Sequence, residues 1–295
     1  MKIIFFGYKG WIGSKFLEIL HKKYGKENII TPNIRVDNLN DLEKCIIHNM
    51  PTHVISFIGR THGIHNNINY STIDYLEQKG KLRENINDNL FCPTILAILS
   101  NKYKFHFTYL GTGCIFTENE PEHINTSIGY DEDSLPDFFG SSYSSVKGFT
   151  DRLMHMFDNV LNLRIRMPIS SEVNPRNFIT KITNYEKICS IHNSMTVLDE
   201  LLPYICKMID MNVCGTYNFT NPGTISHNEI LNMYKEIVDN NFTWKNFSVE
   251  EQNKILASER SNNKLQTNKL LELFPNINNI QTAVRNILIQ YKNNL

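Results

Sequence analysis

The sequence predicts an α/β fold in which a doubly wound parallel sheet is followed by a smaller, mostly helical lobe. Short apolar runs such as KIIFF and HVISFIG alternate with segments whose apolar residues recur at helical spacing. A glycine-rich turn, GYKGWIG, separates the first run from the first helical segment. Strands that alternate with helices of this length predict right-handed crossovers and a sheet covered on both faces.

The elements follow one another in a regular order up to about Pro168. After the strand KIIFF and the helix WIGSKFLEILHKKY, a second strand and helix are predicted in NIITPNIRVDNLNDLEKCIIHNM. The strand HVISFIG leads into a stretch that we expect to be irregular, from Arg60 to Lys79, and a helix is expected from about Leu82 to Ser100. The first part ends with the strand KFHFTYL, the loop GTGCIF, the helix SSYSSVKGFTDRLMHMF and the strand VLNLRIRMP.

Beyond this point the predicted helices become shorter, and one clear strand, GTYNFT, remains. We therefore place a first domain at residues 1–168 and a second lobe at residues 169–295, with some segments interleaved. The second lobe is expected to close over the end of the sheet, where open α/β sheets bind ligands. Its helices are predicted in LDELLPYICKMI, SHNEILNMYKEIV, VEEQNKIL and AVRNILIQY.

Composition excludes several classes of function. The 295 residues carry 30 basic and 30 acidic side chains, so no basic excess indicates a nucleic-acid partner. No apolar stretch reaches the roughly 18 residues of a membrane span, and glycines interrupt the N-terminus too early for a signal peptide. The six cysteines show no CxxC pairing, and the ten histidines no HxxxH spacing. We expect a cytoplasmic protein without a metal, a membrane or a nucleic-acid partner.

The glycine turn is a candidate dinucleotide site of the Rossmann type. Gly7, Gly10 and Gly13 form a GxxGxxG pattern between a strand and a helix. Glycines there permit a tight turn and let a pyrophosphate approach the helix N-terminus, whose N–H groups and dipole favour an anion. Trp11 and Ile12 begin that helix. The turn therefore predicts a bound nicotinamide dinucleotide.

The residues that would distinguish NADPH from NADH are expected at the end of the second strand. Arg35 stands two positions before Asp37 in the stretch NIRVD. A guanidinium suits a 2′-phosphate, whereas a carboxylate suits the ribose hydroxyls of NADH. Arg35, with Lys9 as a second contact, favours NADPH. That both are solvated surface charges stays open.

A reductive pair is predicted on one helix. Tyr143 and Lys147 are four residues apart and so share a face. An ammonium beside a phenol stabilises the phenolate, which suits a tyrosine that passes a proton to a carbonyl oxygen while hydride arrives from a nicotinamide. Thr112 in the preceding loop is the candidate third member, with its hydroxyl on the same oxygen.

Together these residues identify the chain as resembling an extended short-chain dehydrogenase. More narrowly, it resembles the bifunctional 3,5-epimerase/4-reductases that make UDP-rhamnose, found as the C-terminal half of plant rhamnose synthases and as a stand-alone enzyme in giant viruses such as Mimivirus. The segments that carry the likeness are GYKGWIG, GTGCIF, RIRMPISSEVNPRNFITKI, NSMTVLDELLP, NFTNPGTISHNEILNMYK and RSNNK. Residues 60–80 depart from the plant pattern.

The resemblance assigns roles to two further residues. In related GDP-fucose synthases, a Cys two positions after the catalytic Ser or Thr and a later His are the acid and base of epimerisation; in the plant rhamnose enzymes the second partner is a Lys. These carry over to Cys114 and Lys181. Bacterial dTDP-4-dehydrorhamnose reductases have a Tyr in place of the Cys, so Cys114 favours the bifunctional enzyme. From the residues alone, Cys114 is a structural thiol and Lys181 a surface charge.

The resemblance also implies supporting residues and partners. Asn89 matches the helix Asn that supports the active-site Lys through water. Asn177 and Arg260 match positions that meet the nucleotide diphosphate. Met167 would line the nicotinamide pocket. The chain starts at Met1 without a 4,6-dehydratase half, so we expect a separate enzyme to supply its nucleotide-sugar substrate. Dimerisation through helices near the active site is common in the superfamily, which makes a homodimer a candidate assembly.

Three alternatives stay open at the level of sequence. A reductase without epimerase activity would tolerate the loss of Cys114. An epimerase or dehydratase of the same fold would recycle NAD and need no external NADPH. A cofactor-sensing regulator would keep the fold without the chemistry, but the intact set of Thr112, Tyr143 and Lys147 argues against it.

Overall fold

A six-stranded sheet forms the centre of the fold in the computed structural model, which describes residues 1–295. The strands lie in the order β2-β1-β3-β6-β7-β8, and β1 pairs in parallel with β2 and β3, as β3 does with β6. This arrangement confirms the predicted Rossmann-type parallel sheet. The strands are β1 (Ile3–Phe6), β2 (Ile29–Ile30), β3 (His53–Ser56), β6 (His106–Thr112), β7 (Val160–Ile165) and β8 (Gly215–Asn218).

Eleven α-helices connect and flank these strands. None of them combines the length and the apolar character that a bilayer span requires. The helices are α1 (Trp11–Tyr24), α2 (Leu39–Asn49), α3 (Leu82–Ile86), α4 (Cys92–Tyr103), α5 (Ser142–Met154), α6 (Phe178–Thr183), α7 (Leu198–Asp210), α8 (His227–Ile237), α9 (Val249–Asn253), α10 (Asn268–Leu273) and α11 (Ile280–Asn293).

The strand order reverses at β1, and the glycine turn lies at this point. Ligands bind at such a switch point in open α/β sheets. Gly7, directly after β1, has a φ of 82°, and a Cβ there would lie 2.5 Å from the carbonyl carbon of Phe57, the residue that follows β3. A Cβ on Gly13 would lie 2.1 Å from the Gly7 carbonyl oxygen. Both glycines therefore allow backbone segments to meet where a cofactor is expected.

An aromatic cluster holds α1 against the sheet. Phe5 of β1 meets the rings of Phe16 and Phe57 edge to face, with centroids 5.8 and 5.2 Å away, and Phe16 stacks on Phe57 at 5.0 Å. Such pairs contribute about 0.5–1.5 kcal/mol each beyond the burial of their area. The helix that begins at the glycine turn is thus fixed by Phe5 of β1 and by Phe57, directly after β3.

Three segments differ from the sequence prediction. The second strand, β2, ends at Ile30, so Arg35 and Asp37 lie in the irregular chain and turn that follow it. The stretch from Arg60 to Lys79, expected to be irregular, contains an antiparallel hairpin of β4 (Gly63–His65) and β5 (Ile68–Tyr70). Asn66 and Asn67 form its turn with φ values of 49° and 62°, which asparagine adopts more readily than most residues. The helix expected over 82–100 runs on to Tyr103 and is interrupted by a π-helical turn, Asn87–Phe91.

The chain divides into two compact units whose segments interleave. The first unit comprises residues 1–112, 142–163 and 202–217, and the second comprises residues 113–141, 164–201 and 218–295. The loop before α5 therefore belongs to the second unit, and most of α7 belongs to the first. The assignment of the units to cofactor and to substrate stays a proposal.

The second unit has an apolar core of its own. Helices α6, α8 and α11 pack together through aliphatic side chains that are almost fully excluded from water. Burial of each such side chain contributes about 1.5–3 kcal/mol. Members of this core include Ile169, Ile179, Ile182, Ile230, Leu231, Val284 and Leu288.

We predict that Gly7→Ala lowers the free energy of unfolding by about 2–5 kcal/mol, because the positive φ and the contact with the Phe57 backbone both oppose a side chain. Urea denaturation followed by circular dichroism measures this loss. The matched control is Gly80→Ala, since Gly80 has a φ of 86° but no atom within 4 Å of its added Cβ. The control should lose only about 1–2 kcal/mol. Equal losses in the two variants would contradict the role of Gly7 in close packing.

Candidate active site

Thr112 ends the central strand β6 in the first unit, and a close contact fixes its position. The residue before it, Gly111, passes so near to β7 that a Cβ would lie 2.4 Å from the Asn162 side-chain oxygen. Asn162 in turn donates a hydrogen bond of 2.8 Å to Asp151 of α5. This small set of contacts ties the end of β6 to the helix that carries Tyr143 and Lys147.

Tyr143 and Lys147 are both buried, as predicted for a pair on one face of α5. The Lys147 ammonium donates a hydrogen bond to the hydroxyl of Tyr109 and lies 4.6 Å from the centroid of its ring. Burial, and then the nearby phenol of Tyr143, hold the pKa of Tyr109 well above its usual value. Tyr109 therefore stays a neutral phenol that accepts a hydrogen bond and orients the ammonium.

Sequence reasoning missed Tyr109. It lies inside the buried strand β6, three residues before Thr112 and between Thr108 and Leu110. A tyrosine in the middle of a buried strand needs a partner for its hydroxyl, and this was the signal available in the sequence. The identity of the partner depends on the packing of α5 against β6 and could not be derived from spacing.

The first turn of α5 is held by the segment that departs from the plant pattern. The carboxylate of Glu77 accepts hydrogen bonds of 2.9 Å from both the backbone N–H and the hydroxyl of Ser142, the first residue of the helix. A carboxylate at this end satisfies an otherwise unpaired N–H and interacts favourably with the helix dipole. Residues 60–80 thus position the helix that carries Tyr143.

Asn89 lies in the π-helical turn and is fully buried. Its side chain accepts a hydrogen bond from the Arg60 N–H and donates to the Arg60 carbonyl and to Asn85, at 3.0, 2.9 and 2.8 Å. Its own carbonyl accepts a hydrogen bond of 2.5 Å from Thr150 of α5. The amide therefore holds the loop after β3, and support for Lys147 would have to come through the main chain.

The N-terminus of α1 suits a phosphate group. The helix begins at Trp11 after Gly10, has no side-chain cap, and has no acidic residue in its first turn. Its first N–H groups and its dipole would attract an anion at this position. Lys9, at the surface beside this turn, donates a hydrogen bond of 3.0 Å to Asn33.

Arg35 and Asp37 are paired with each other at the edge of an open groove formed by residues 33–41. Arg35 makes three hydrogen bonds of 2.8–3.2 Å to the carboxylate, and Asn87 adds a fourth at 3.0 Å. The bonds from Arg35 hold the pKa of Asp37 below its usual value. The Arg35 side chain is 68% exposed, so its guanidinium faces solvent, while the carboxylate is engaged with neighbouring side chains.

In the second unit, Lys181 is the residue whose ionisation is most suited to chemistry. Burial, and then the like charges of Arg176 and Arg260, lower its pKa to about 8. A lysine that titrates near neutrality can give or take a proton under working conditions, which a surface lysine cannot. The structure therefore places Lys181 in surroundings that lower its pKa, whereas sequence spacing alone made it a surface charge.

Asn177 precedes Lys181 and supports its helix. The residue is fully buried, caps α6, and holds the loop at Ser170 and Glu172 through hydrogen bonds of 2.7–3.3 Å. Because both atoms of its amide are engaged, the diphosphate contact implied by the resemblance has no donor available here. Asn177 positions α6 instead.

The remaining predicted residues lie in the same unit. Arg260 is half-buried and donates to the carbonyl and hydroxyl of Ser258 at 3.0 and 2.9 Å. Met167 has a φ of 39° and packs against the apolar core. Cys114 is half-buried and lies two residues after Thr112 in the chain. The carbonyl of the preceding residue, Gly113, accepts a hydrogen bond of 2.8 Å from the buried guanidinium of Arg166.

Comparison with known proteins identifies close relatives over the full chain. No protein-family model matches. The crystal structure of a UDP-rhamnose synthase from Acanthamoeba polyphaga mimivirus is 52% identical, covers 98% of this chain and 99% of its own, and superposes with a TM-score of 0.93.

Two Arabidopsis thaliana proteins match as well. A bifunctional dTDP-4-dehydrorhamnose 3,5-epimerase/dTDP-4-dehydrorhamnose reductase is 39% identical over 285 residues, which are 95% of this chain and 90% of that protein. A trifunctional UDP-glucose 4,6-dehydratase/UDP-4-keto-6-deoxy-D-glucose 3,5-epimerase/UDP-4-keto-L-rhamnose-reductase is 38% identical over 297 residues, which are 99% of this chain but 41% of that protein.

These matches confirm the resemblance drawn from the glycine turn, the GTGCIF loop and the Tyr143–Lys147 pair. They extend over nearly the whole chain and include relatives that the chain covers almost completely. The chain therefore belongs to the family of enzymes that comprises the UDP-rhamnose synthases and the bifunctional dTDP-4-dehydrorhamnose 3,5-epimerase/dTDP-4-dehydrorhamnose reductases.

Proposed function

We propose that the protein converts UDP-4-keto-6-deoxy-D-glucose to UDP-L-rhamnose with NADPH, as a bifunctional 3,5-epimerase/4-reductase. Family membership supports the reaction. The observation that carries the epimerase half is the pKa of about 8 at Lys181, produced by burial and two flanking cations. A lysine with such a lowered pKa is expected in an enzyme that moves protons on carbon. Simple reduction of the carbonyl does not require this lysine.

The two inversions depend on the acidity that the C4 carbonyl gives to the protons on C3 and C5. A base takes the proton, the C–H electron pair forms the double bond of an enolate, and an acid returns a proton to the other face. We assign these proton transfers to Cys114 and Lys181. The hydroxyls of Thr112 and Tyr143 are suited to donate hydrogen bonds to the enolate oxygen and so to stabilise its charge.

Reduction then uses the same carbonyl. When bound, NADPH supplies the hydride that reaches C4. Tyr143 gives its proton to the C4 oxygen, and Lys147, held by Tyr109, stabilises the phenolate that remains. Thr112 and Cys114 stand two positions apart in the chain, which is consistent with one carbonyl serving both reactions.

The residues of the first unit fit a nicotinamide dinucleotide. The uncapped N-terminus of α1 would hold the pyrophosphate, and the exposed guanidinium of Arg35 would meet the 2′-phosphate of NADPH. All six cysteines are free, which supports a reducing compartment such as the cytoplasm. A UDP-glucose 4,6-dehydratase, like the one named in the trifunctional relative, would supply the substrate.

Isotope exchange tests the division of roles. We predict that the protein, given UDP-4-keto-6-deoxyglucose and NADPH in D2O, places deuterium at C3 and C5 of the product, as read by NMR. Cys114→Ala should lower exchange by about 10²-fold or more, because an acid–base group is lost. Tyr143→Phe should lose most reduction and keep part of the exchange.

The control for this experiment is Cys45→Ala, which removes another half-buried thiol and should change neither rate. A product without deuterium at C3 and C5 would leave only the reductase activity. Equal loss of both activities in each variant would contradict separate roles for Cys114 and Tyr143.

The pH dependence of exchange tests Lys181. We predict an inflection near pH 8, the pKa to which burial and the two arginines lower this lysine. Arg176→Gln should move the inflection to higher pH, because removal of a like charge favours the ammonium. Arg285→Gln is the control, since Arg285 is exposed and paired with Glu236 in the same unit. An unchanged inflection in Arg176→Gln, or a persisting one in Lys181→Met, would exclude this assignment.

Cofactor preference tests Arg35. We predict that Arg35→Gln raises KM for NADPH about tenfold, the loss expected for one charged hydrogen-bonding contact, and does not raise KM for NADH. Initial rates with each cofactor measure the ratio. Lys22→Gln removes an exposed charge from α1 and serves as control. A parallel rise for both cofactors would argue against recognition of the 2′-phosphate by Arg35.

A further inference from the structure

Arg166 is a buried cation that the sequence analysis did not single out. It lies directly after β7 in the second unit, and only 1% of its surface is exposed. Buried charges in proteins are nearly always paired with an opposite charge, because the cost of removing an ion from water is otherwise not offset. A counter-charge is therefore expected close to this guanidinium.

Every hydrogen bond of the guanidinium goes to a neutral acceptor. It donates to the Gly113 carbonyl at 2.8 Å, to the Asn193 side-chain oxygen at 2.6 Å, to the hydroxyl and carbonyl of Ser261 at 2.9 and 3.1 Å, and to the Ser194 carbonyl at 3.4 Å. No carboxylate is among the partners. The hydrogen-bonding groups are satisfied, but the positive charge is not neutralised.

The side chain is built against the loop that carries Cys114. A Cβ on Gly113 would lie 3.1 Å from both Cγ and Cδ of Arg166 and 2.6 Å from a methyl carbon of Leu265. The Gly113 carbonyl that accepts from the guanidinium belongs to the peptide bond that joins Gly113 to Cys114. The cation is thus hydrogen-bonded to the peptide group that directly precedes Cys114.

Cys114 is also the one ionisable group whose charge acts on Arg166. Burial lowers the pKa of the guanidinium, and the charge of Cys114 raises it again. The other cations of this unit that bear on the proposed chemistry, Arg176 and Arg260, act on Lys181 instead. Cys114 is therefore the group in this unit that would offset the charge of Arg166 if it ionised.

We propose that Arg166 is a positioning residue that stabilises Cys114 as a thiolate and holds the Gly113–Cys114 peptide in place. This inference rests on the proposed epimerase function and deepens it, because it makes Cys114 the base that takes a carbon-bound proton. Lys181 then returns a proton to the opposite face. The acceptors around Arg166 are all neutral, which fits this role, because a carboxylate among them would compete with the thiolate for the cation.

Alkylation of the unmodified protein provides the first test. Cys45, Cys114 and Cys214 are all half-buried, and burial raises the pKa of Cys45 and of Cys214. At neutral pH, iodoacetamide should therefore modify Cys114 at least about fivefold faster than the other two, because the thiolate is the nucleophile. Mass spectrometry of the three peptides measures the rates. Modification of Cys114 at the rate of Cys45 and Cys214 would overturn the proposal.

The second test supplies Arg166 with a competing anion. Asn193→Asp places a carboxylate of nearly the same shape on the atom that now accepts a hydrogen bond of 2.6 Å. We expect alkylation of Cys114 to slow about tenfold, because the new carboxylate competes for the cation, and deuterium exchange at C3 and C5 to slow with it. Oxidation of UDP-L-rhamnose by NADP⁺, which needs no epimerisation, should keep its rate.

Asn228→Asp is the matched control. It adds a carboxylate in the same unit, at the start of α8 and beside Trp244, and should change none of the three rates. An unchanged alkylation rate in a folded Asn193→Asp protein would overturn the role of Arg166. If that variant does not fold, the comparison among the three thiols of the unmodified protein still decides.

The alkylation assays use no substrate, so they separate this inference from the proposed function. Fast alkylation of Cys114 without deuterium exchange would support the Arg166–Cys114 pair and reject the epimerase activity. Exchange without preferential alkylation would support the epimerase and reject the role of Arg166.

Discussion

The close approach of backbone segments at the carboxyl ends of the central strands is the constraint on which the proposed site depends. At Gly111 a side chain would collide with Asn162, and at Gly113 it would collide with Leu265 and press on Arg166. These two glycines flank Thr112, and Gly113 directly precedes Cys114. The GTGC loop therefore lies where it does because its backbone can approach its neighbours without a Cβ. Larger residues would displace both hydroxyl and thiol.

Burial is the second physical effect that organises the molecule, and it acts differently on each group. It keeps Tyr109 a neutral phenol that accepts from Lys147, and with two flanking arginines it brings the pKa of Lys181 to about 8. The same desolvation at Arg166 leaves a cation among neutral acceptors. Desolvation disfavours the charged form of a group, so the local partners decide whether it becomes a neutral donor, a titrating lysine or an electrostatic support.

Residues 60–80 depart from the pattern of the plant enzymes, yet they support the helix that carries Tyr143 and Lys147. The hairpin of this segment and the following turn bring Glu77 to the first residue of α5, where the carboxylate accepts two hydrogen bonds from Ser142. Asn89, on the π-helical turn, fixes the start of the same segment at Arg60. The segment is therefore tied at both ends to the elements that present Tyr143 and Lys147.

The sequence by itself determined the sheet with its crossovers, the glycine turn, the spacing of Tyr143 and Lys147, and the presence of Thr112 and Cys114 in one loop. These follow from local periodicity and from residue types with restricted uses. Tertiary structure alone decided that Lys147 meets Tyr109, that Glu77 caps α5, that the amide of Asn177 caps α6, and that Arg166 binds the Gly113 carbonyl. Such pairings join residues as far apart as 65 positions, and depend on burial and packing, which no local pattern of a single sequence encodes.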